Sequence, residues 1–181
     1  MDQIQARELA REKAVKDGTF AHLVSVEGVM RRLARHFGED ESRWGLVGLF
    51  HDLDQDFTAD DPERHAYVAA EWLRERGEDE TVVNGVLAHA HPEYRTDLMS
   101  RAIVAADAVA GLLRASALVR PEKSVGMKVS SVKKKLKERS FAPGVNRDEI
   151  VACEEIGLAL DEFIGLGIEG LQLVAADIGL A

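Results

Sequence analysis

The sequence lacks the features that staple small secreted proteins or anchor a chain in a membrane. Its 181 residues include a single cysteine, Cys153. This excludes an internal disulfide framework and fits a reducing cytoplasm. The N-terminal segment is charged from Asp2 onward and offers no apolar signal core. The most apolar stretch, 163–181, contains Glu169 and Asp177 and lacks the roughly 18 uninterrupted apolar residues of a membrane span. We therefore expect a soluble cytoplasmic protein that does not bind membranes.

Positive charge is also scarce, because 23 Lys and Arg face 32 Asp and Glu and give a formal net charge of −9. This balance argues against the binding of nucleic acid polymers. The exception is the segment 120–139, which carries eight basic and two acidic side chains. Such a segment can face an anion smaller than DNA. It can equally be the solvated side of a helix whose other side carries Val129, Val132 and Leu136, and both interpretations stay open.

The chain has no strand pattern of alternating β-branched residues between hairpin turns, whereas apolar residues recur with helical spacing throughout. Residues suited to helix ends punctuate these segments: Gly18, Gly38, Asp61 with Pro62, Pro92, Thr96, and Asn146 with Glu149. We predict helices over about 3–17, 20–37, 41–53, 61–77, 80–91, 96–118, 129–139, 146–157 and 159–179. The expected fold is therefore all-α, a single-domain bundle of about nine helices.

Ionisable side chains interrupt faces that otherwise resemble core. They are His22, the pair His51 and Asp52, His65, His89, and Asp107. A single histidine in such a place is usually a satisfied core residue. Asp107 is harder to explain in that way, because it stands alone in the apolar stretch 102–113 and burying a lone carboxylate costs several kcal/mol.

Together these positions supply four imidazoles and two carboxylates from five predicted helices. The set is too large for one tetrahedral structural zinc. It suits one metal with open positions or two metals that share a carboxylate. Successive helix residues point about 100° apart, so His51 and Asp52 reach the same ion only at a helix end or where the carboxylate bridges.

The ordered set of segments resembles the HD-domain metal-dependent phosphohydrolases, and most closely the small bacterial HDIG-type hydrolases with the pattern H…HD…H…H…D. The segments are AHLVSVEGVMRR, LFHDLDQD, ERHAYVAAEWL, VLAHAH and IVAADAVAGLL. The later stretch from LVRPEKS onward is also similar to that group. The resemblance implies one HD-type domain over 1–181, with a metal-ligand core over about 20–118 that the helices of about 124–181 complete.

The resemblance also implies a ligand set. One metal would take His22, His51 and Asp107, the second would take His65 and His89, and Asp52 would bridge them together with a water or hydroxide. His91 is the alternative to His89, which we choose because it follows VLA as the family ligand does. We expect two divalent transition ions, with iron or manganese favoured and zinc, cobalt or nickel as alternatives.

The implied function is hydrolysis of a small anionic phosphorylated metabolite, with a nucleotide favoured, by attack of a metal-bound hydroxide. Asp54, close to the metal end, is a candidate to orient water or to protonate the leaving group. Lys123, Lys133 and Arg147 are candidates for binding substrate phosphate, and the sequence does not choose among them. Two alternatives use the same ligands: an HD-fold diiron oxygenase, and a metal-binding regulatory module without turnover.

Two other motifs carry no function. The segment Gly165-Leu166-Gly167-Ile168-Glu169-Gly170 matches the dinucleotide fingerprint GxGxxG, but it follows no strand and has no acidic ribose ligand after it. Cys153 has no nearby basic residue that would activate it, so we expect a thiol in the core.

Overall fold

The computed structural model describes residues 1–181, and every regular element in it is helical. Ten α-helices are present: α1 (Gln3–Lys13), α2 (Asp17–Phe37), α3 (Glu41–Phe50), α4 (Gln55–Thr58), α5 (Tyr67–Glu75), α6 (Glu80–Ala90), α7 (Leu98–Leu118), α8 (Val129–Lys137), α9 (Arg147–Val151) and α10 (Leu160–Leu173). Each predicted helix has a counterpart, and the single turn of α4 is additional. The all-α prediction is confirmed.

Helix ends follow local capping chemistry. Asp40 accepts hydrogen bonds from the amides of Ser42 and Arg43 at the start of α3, and Gly38 ends α2 with a positive φ of 73°. Two predicted ends were wrong. Asp97, not Thr96, caps α7, because its carboxylate accepts from the Ser100 amide in a capping box. The first helix stops at Lys13, and Gly18 lies in the first turn of α2 instead of ending α1.

The predicted helix over 61–77 is also shorter than expected. Pro62–Arg64 forms a 3₁₀ turn, and α5 begins only at Tyr67. Between them His65 has φ −58° and ψ 139° in a turn, and Ala66 takes a φ of 67°, a value that non-glycine residues rarely adopt. The break turns the chain at His65, which leaves that side chain free to point away from the helix.

The core is one cluster of 51 buried apolar residues to which both the N-terminal and the C-terminal helices contribute. Helix α7 runs through it with 14 of its 21 residues buried, and α2 packs against α3, α7 and α10. Cys153 is fully buried in this core, and burial raises the pKa of its thiol to about 11. None of the helices combines the length and the apolar content needed to cross a membrane.

The crossing of α2 and α10 depends on two glycines. A Cβ at Gly28 would lie 2.4 Å from the carbonyl oxygen of Gly170, and a Cβ at Gly170 would lie 2.6 Å from the Cα of Val29. Gly167 faces the side chain of Leu113 in the same way, at 2.9 Å. Two of the three glycines of the GxGxxG segment, Gly167 and Gly170, therefore serve close helix packing.

This crossing predicts that Gly28→Ala lowers the free energy of unfolding by about 1–3 kcal/mol, because the added methyl group must push α10 away from α2. Gly18→Ala, in the same helix, is the matched control, since no atom lies within 4 Å of a Cβ at that position. It should be neutral or stabilise the protein by up to about 1 kcal/mol. Urea denaturation of both variants checks this, and equal stability of the two would contradict it.

Candidate metal centre

Five separate parts of the fold bring the six predicted ligands together. His22 lies in α2, His51 and Asp52 directly follow α3, and the other three come from the turn before α5, the last turn of α6 and the middle of α7 (His65, His89 and Asp107). They form two groups, and within each group one potential ligand atom per residue lies within 4.8 Å of the others. The first group is His22, His51 and Asp107, and the second is Asp52, His65 and His89.

The first group is organised around one carboxylate oxygen. Asp107 Oδ1 lies 2.9 Å from His22 Nε2 and 3.5 Å from His51 Nε2. The side chain of His51 is completely buried, whereas those of His22 and Asp107 are 22% and 28% exposed. The group is thus closed on the core side and open on the other.

The second group converges on Asp52. Its Oδ1 atom lies 3.1 Å from the Nε2 atoms of both His65 and His89, which are themselves 3.0 Å apart. The other oxygen of Asp52 points to the first group, at 3.5 Å from His51 Nε2 and 3.9 Å from His22 Nε2. Asp52 therefore presents one oxygen to each group.

Hydrogen bonds behind the rings fix which nitrogen faces inward. His51 Nδ1 lies 2.9 Å from the carbonyl oxygen of Gly48, and His89 Nδ1 lies 2.7 Å from that of Val86. A carbonyl oxygen only accepts, so each Nδ1 carries a hydrogen, and Nε2 is the nitrogen that faces the centre. His65 Nδ1 is oriented similarly, 3.0 Å from Asp54 Oδ1.

These contacts test whether the residues fit a metal. His51 Nε2 is buried and has no hydrogen-bond partner. The Nε2 lone pairs of His65 and His89 face one another at 3.0 Å, which is repulsive unless a proton or a cation lies between them. Neutral imidazoles with such outer hydrogen bonds are typical ligands of transition metals, so the donor set fits divalent metal ions.

The carboxylates make the centre attractive to positive charge. Burial by itself would raise the pKa values of Asp52 and Asp107, but the adjacent imidazoles hold both well below their usual range. Burial would lower the pKa values of His51 and His65. The neighbouring carboxylates outweigh it and raise them to about 9 and about 10. Without an ion, protons occupy the sites that a metal would use.

Asp54 does not occupy the place expected of a group that acts on substrate. It is fully buried behind His65, with Oδ1 directed at that ring and Oδ2 accepting a hydrogen bond of 3.0 Å from the amide of Ala69. A carboxylate so enclosed has no free oxygen for a leaving group. The structure therefore assigns Asp54 to orienting His65 and corrects the catalytic role expected from the sequence.

The basic residues expected to bind phosphate have different surroundings. Arg147 donates to the carbonyl oxygens of Ala142 and Val145 at 2.7 and 2.6 Å and also to that of Phe141, so its guanidinium organises its own loop. Lys133 pairs with Asp161 at 2.5 Å. In this arrangement the guanidinium of Arg147 is engaged by its own loop, and the charge of Lys133 is shared with an exposed carboxylate. Lys123 lies in the turn after α7 and makes no ion pair.

Two further carboxylates, Asp56 and Glu149, lie against elements that carry the site. Asp56 accepts hydrogen bonds from the amide of Lys16 and the hydroxyl of Thr19 at 3.0 and 3.1 Å, which fixes the start of the helix that carries His22. Glu149, on α9 against α7, has a pKa raised by burial and by the charge of Asp107. These relations join elements distant in sequence, so local patterns do not reveal them.

Comparison with known proteins agrees with the pattern of ligands. The sequence model described as HD domain matches residues 19–112, just over half of the chain. This chain belongs to the HD domain family. The resemblance to the HD-domain metal-dependent phosphohydrolases is thereby confirmed at the level of the family, and the matched segment contains all six predicted ligands.

The curated relatives of this HD protein include three proteins named Ribonuclease Y. That of Sulfurovum sp. (strain NBC37-1) is 34% identical over 87 residues, and that of Aliarcobacter butzleri is 33% identical over 89. The third, from Opitutus terrae, is 32% identical over 83 residues. The matches cover 46–49% of this chain but only 16–17% of the relatives, so the chain spans about a sixth of their length. No solved structure gives a significant match.

The raised pKa values of His51 and His65 predict that metal binding releases protons. Below about pH 9 both rings are protonated in the metal-free protein, and a metal must displace those protons. Affinity for Mn²⁺ should therefore rise between about pH 6 and pH 8, and titration calorimetry in buffers of different ionisation enthalpy should show the release of at least about one proton.

The His36→Gln variant is the control, because His36 lies at the far end of α2 next to Glu162. It should release as many protons as the unaltered protein. An affinity independent of pH over this range, without proton release, would contradict the assignment.

Proposed function

We propose that this HD protein is a metal-dependent phosphohydrolase with a centre for two divalent transition ions, iron or manganese in first place. Its proposed substrate is a small phosphorylated metabolite, with a nucleotide preferred. The observation that carries the proposal is the position of Asp52, which directs one oxygen to His65 and His89 and the other to His51 and His22. A shared carboxylate between two sets of imidazoles is an arrangement that suits a two-metal site.

Each residue then has a defined part. His22, His51 and Asp107 would hold the first ion, His65 and His89 the second, and Asp52 both. Four imidazoles favour zinc, cobalt, nickel, manganese or iron over calcium, which prefers an all-oxygen shell. Asp54 keeps the His65 ring in position through its Nδ1 atom.

When bound, two such ions lower the pKa of a water molecule toward neutrality and neutralise the oxygens of a phosphoryl group. The chain itself keeps the imidazole lone pairs directed inward through the carbonyl oxygens of Gly48 and Val86. The open sides of His22 and Asp107 leave the centre accessible from solvent. No protein nucleophile takes part, since the thiol of Cys153 is buried with a raised pKa.

RNA is a second candidate substrate. The relatives are named Ribonuclease Y, and the exposed side chains of Lys134, Lys137 and Arg139 make no ion pairs on this otherwise acidic chain. The net charge of −9 favours the small metabolite, because a polymer would bring many phosphates against acidic surface. The free cysteine supports a cytoplasmic location for either reaction.

A screen of phosphoesters tests the function. The protein loaded with Mn²⁺ or Fe²⁺ is incubated with nucleoside monophosphates and polyphosphates, other phosphorylated metabolites and a single-stranded RNA oligonucleotide, and released phosphate or cleaved RNA is measured. Nucleotide hydrolysis supports the proposal, and RNA cleavage alone replaces the metabolite by RNA. Oxygen consumption without hydrolysis would identify a diiron oxygenase, and metal binding without any turnover a regulatory module.

Asp52→Asn should reduce turnover more than about 100-fold and also lower metal content, because loss of a ligand should exceed the roughly 10- to 100-fold effect of losing an outer-shell partner. Circular dichroism establishes that the variant is folded, and His36→Gln is the control for a histidine outside the centre. Wild-type turnover and metal content in Asp52→Asn would reject the two-metal centre.

Lys123→Ala tests whether the basic segment binds substrate. Because Lys123 has no ion-pair partner, its removal should raise KM several-fold with metal content unchanged, and added salt should weaken the effect. Lys133→Ala is the comparison, since the ammonium of Lys133 is already paired with Asp161. Unchanged KM in both variants would leave the basic segment as a solvated helix face.

A further inference from the structure

The two histidines of the second group are both held by the short segment that follows α6. This segment, His91–Arg95, contains the 3₁₀ turn Pro92–Tyr94. His91 lies in neither ligand group, although it is only two residues from His89. Its Nε2 atom lies 2.9 Å from the carbonyl oxygen of His65. Because that oxygen only accepts, Nε2 carries the hydrogen and donates.

The ring of His91 is itself fixed from two directions. It packs against the ring of Tyr67 with centroids 4.2 Å apart and an interplanar angle of 34°. Its own amide donates to the carbonyl oxygen of Leu87 at 2.9 Å, which closes the end of α6. The Nε2 atom of His91 therefore donates to His65 from a ring and a main chain that are both held in place.

His65 needs such a restraint because of the backbone that follows it. Ala66 is completely buried and has φ 67° and ψ −30°, a conformation that residues with a Cβ rarely adopt. The hydrogen bond from His91 holds the carbonyl immediately before this position, while Asp54 holds the ring. His65 is thus fixed at both its main chain and its side chain.

Arg95 restrains the other histidine of the group. Its Nε atom donates to the carbonyl oxygen of Ala88 at 2.9 Å, and Nη2 donates to that of His89 at 3.1 Å. These carbonyls belong to the last turn of α6 and have no partner within the helix. The guanidinium therefore stabilises the turn that carries the His89 ring.

The segment His91–Arg95 makes no hydrogen bond to the residues of the first group. His51 is oriented by a carbonyl at the end of its own helix, and His22 Nε2 faces Asp107 and Asp52. We infer that His91 and Arg95 are positioning residues for the second metal position, formed by Asp52, His65 and His89, and that the segment His91–Arg95 sets whether the centre holds one ion or two. This inference rests on the proposed two-metal function.

Mn²⁺ binding to the chelator-treated full chain tests it by calorimetry, independently of any substrate. The unaltered protein should bind two ions. His91→Leu, which removes the donor, should weaken one of the two about 10- to 100-fold and leave the other unchanged. His91→Gln should restore most of the loss, because its amide nitrogen can take the place of Nε2. His36→Leu is the matched control and should bind as the unaltered protein does.

Arg95→Lys provides a second route if His91→Leu does not fold, because it keeps the charge but loses the two-pronged hydrogen bonding to Ala88 and His89. It should weaken the same single site. Two ions bound with unchanged affinities in a folded His91→Leu or Arg95→Lys variant would overturn the inference, as would an equal weakening of both sites. Binding of a single ion by the unaltered protein would overturn the two-metal function and this inference with it.

Discussion

The metal centre depends on keeping the negative charge of Asp52 and Asp107 inside a helical bundle. These carboxylates are tolerated there because four imidazoles surround them, and the pKa values of two of these, His51 and His65, are raised in turn by the carboxylates. The carbonyl oxygens of Gly48 and Val86 orient the rings of His51 and His89 so that Nε2 faces the centre.

Much of this arrangement could be predicted from the sequence because its signals are local. Apolar spacing predicts the helices, and ionisable residues that interrupt apolar faces, such as His22 and Asp107, are the ones that the fold brings together. The pattern around His51 and Asp52 then points to the HD domain family. A polar residue placed where only an apolar one packs well is informative, since burial of its charge has to be compensated.

The parts that sequence reasoning could not supply are contacts between distant segments. The turn at His65 and Ala66 interrupts a good helical pattern because tertiary hydrogen bonds from Asp54 and His91 outweigh local helix propensity. Arg147 was expected to face substrate on account of its charge, yet the nearest acceptors are the carbonyls of its own loop. Charge and spacing along the chain do not reveal which acceptor lies within reach.

The glycine crossing of α2 and α10 bears on how the family segment can be reused. The match to the HD domain model ends at residue 112, whereas α10, which packs against Gly28, lies beyond it. The packing of α2, the helix that carries His22, thus depends in part on residues outside the family match. The matched segment therefore does not contain all of the contacts that hold α2 in place. A fusion protein built from it must bring its own helix, with a residue as small as glycine at the crossing, to pack against Gly28.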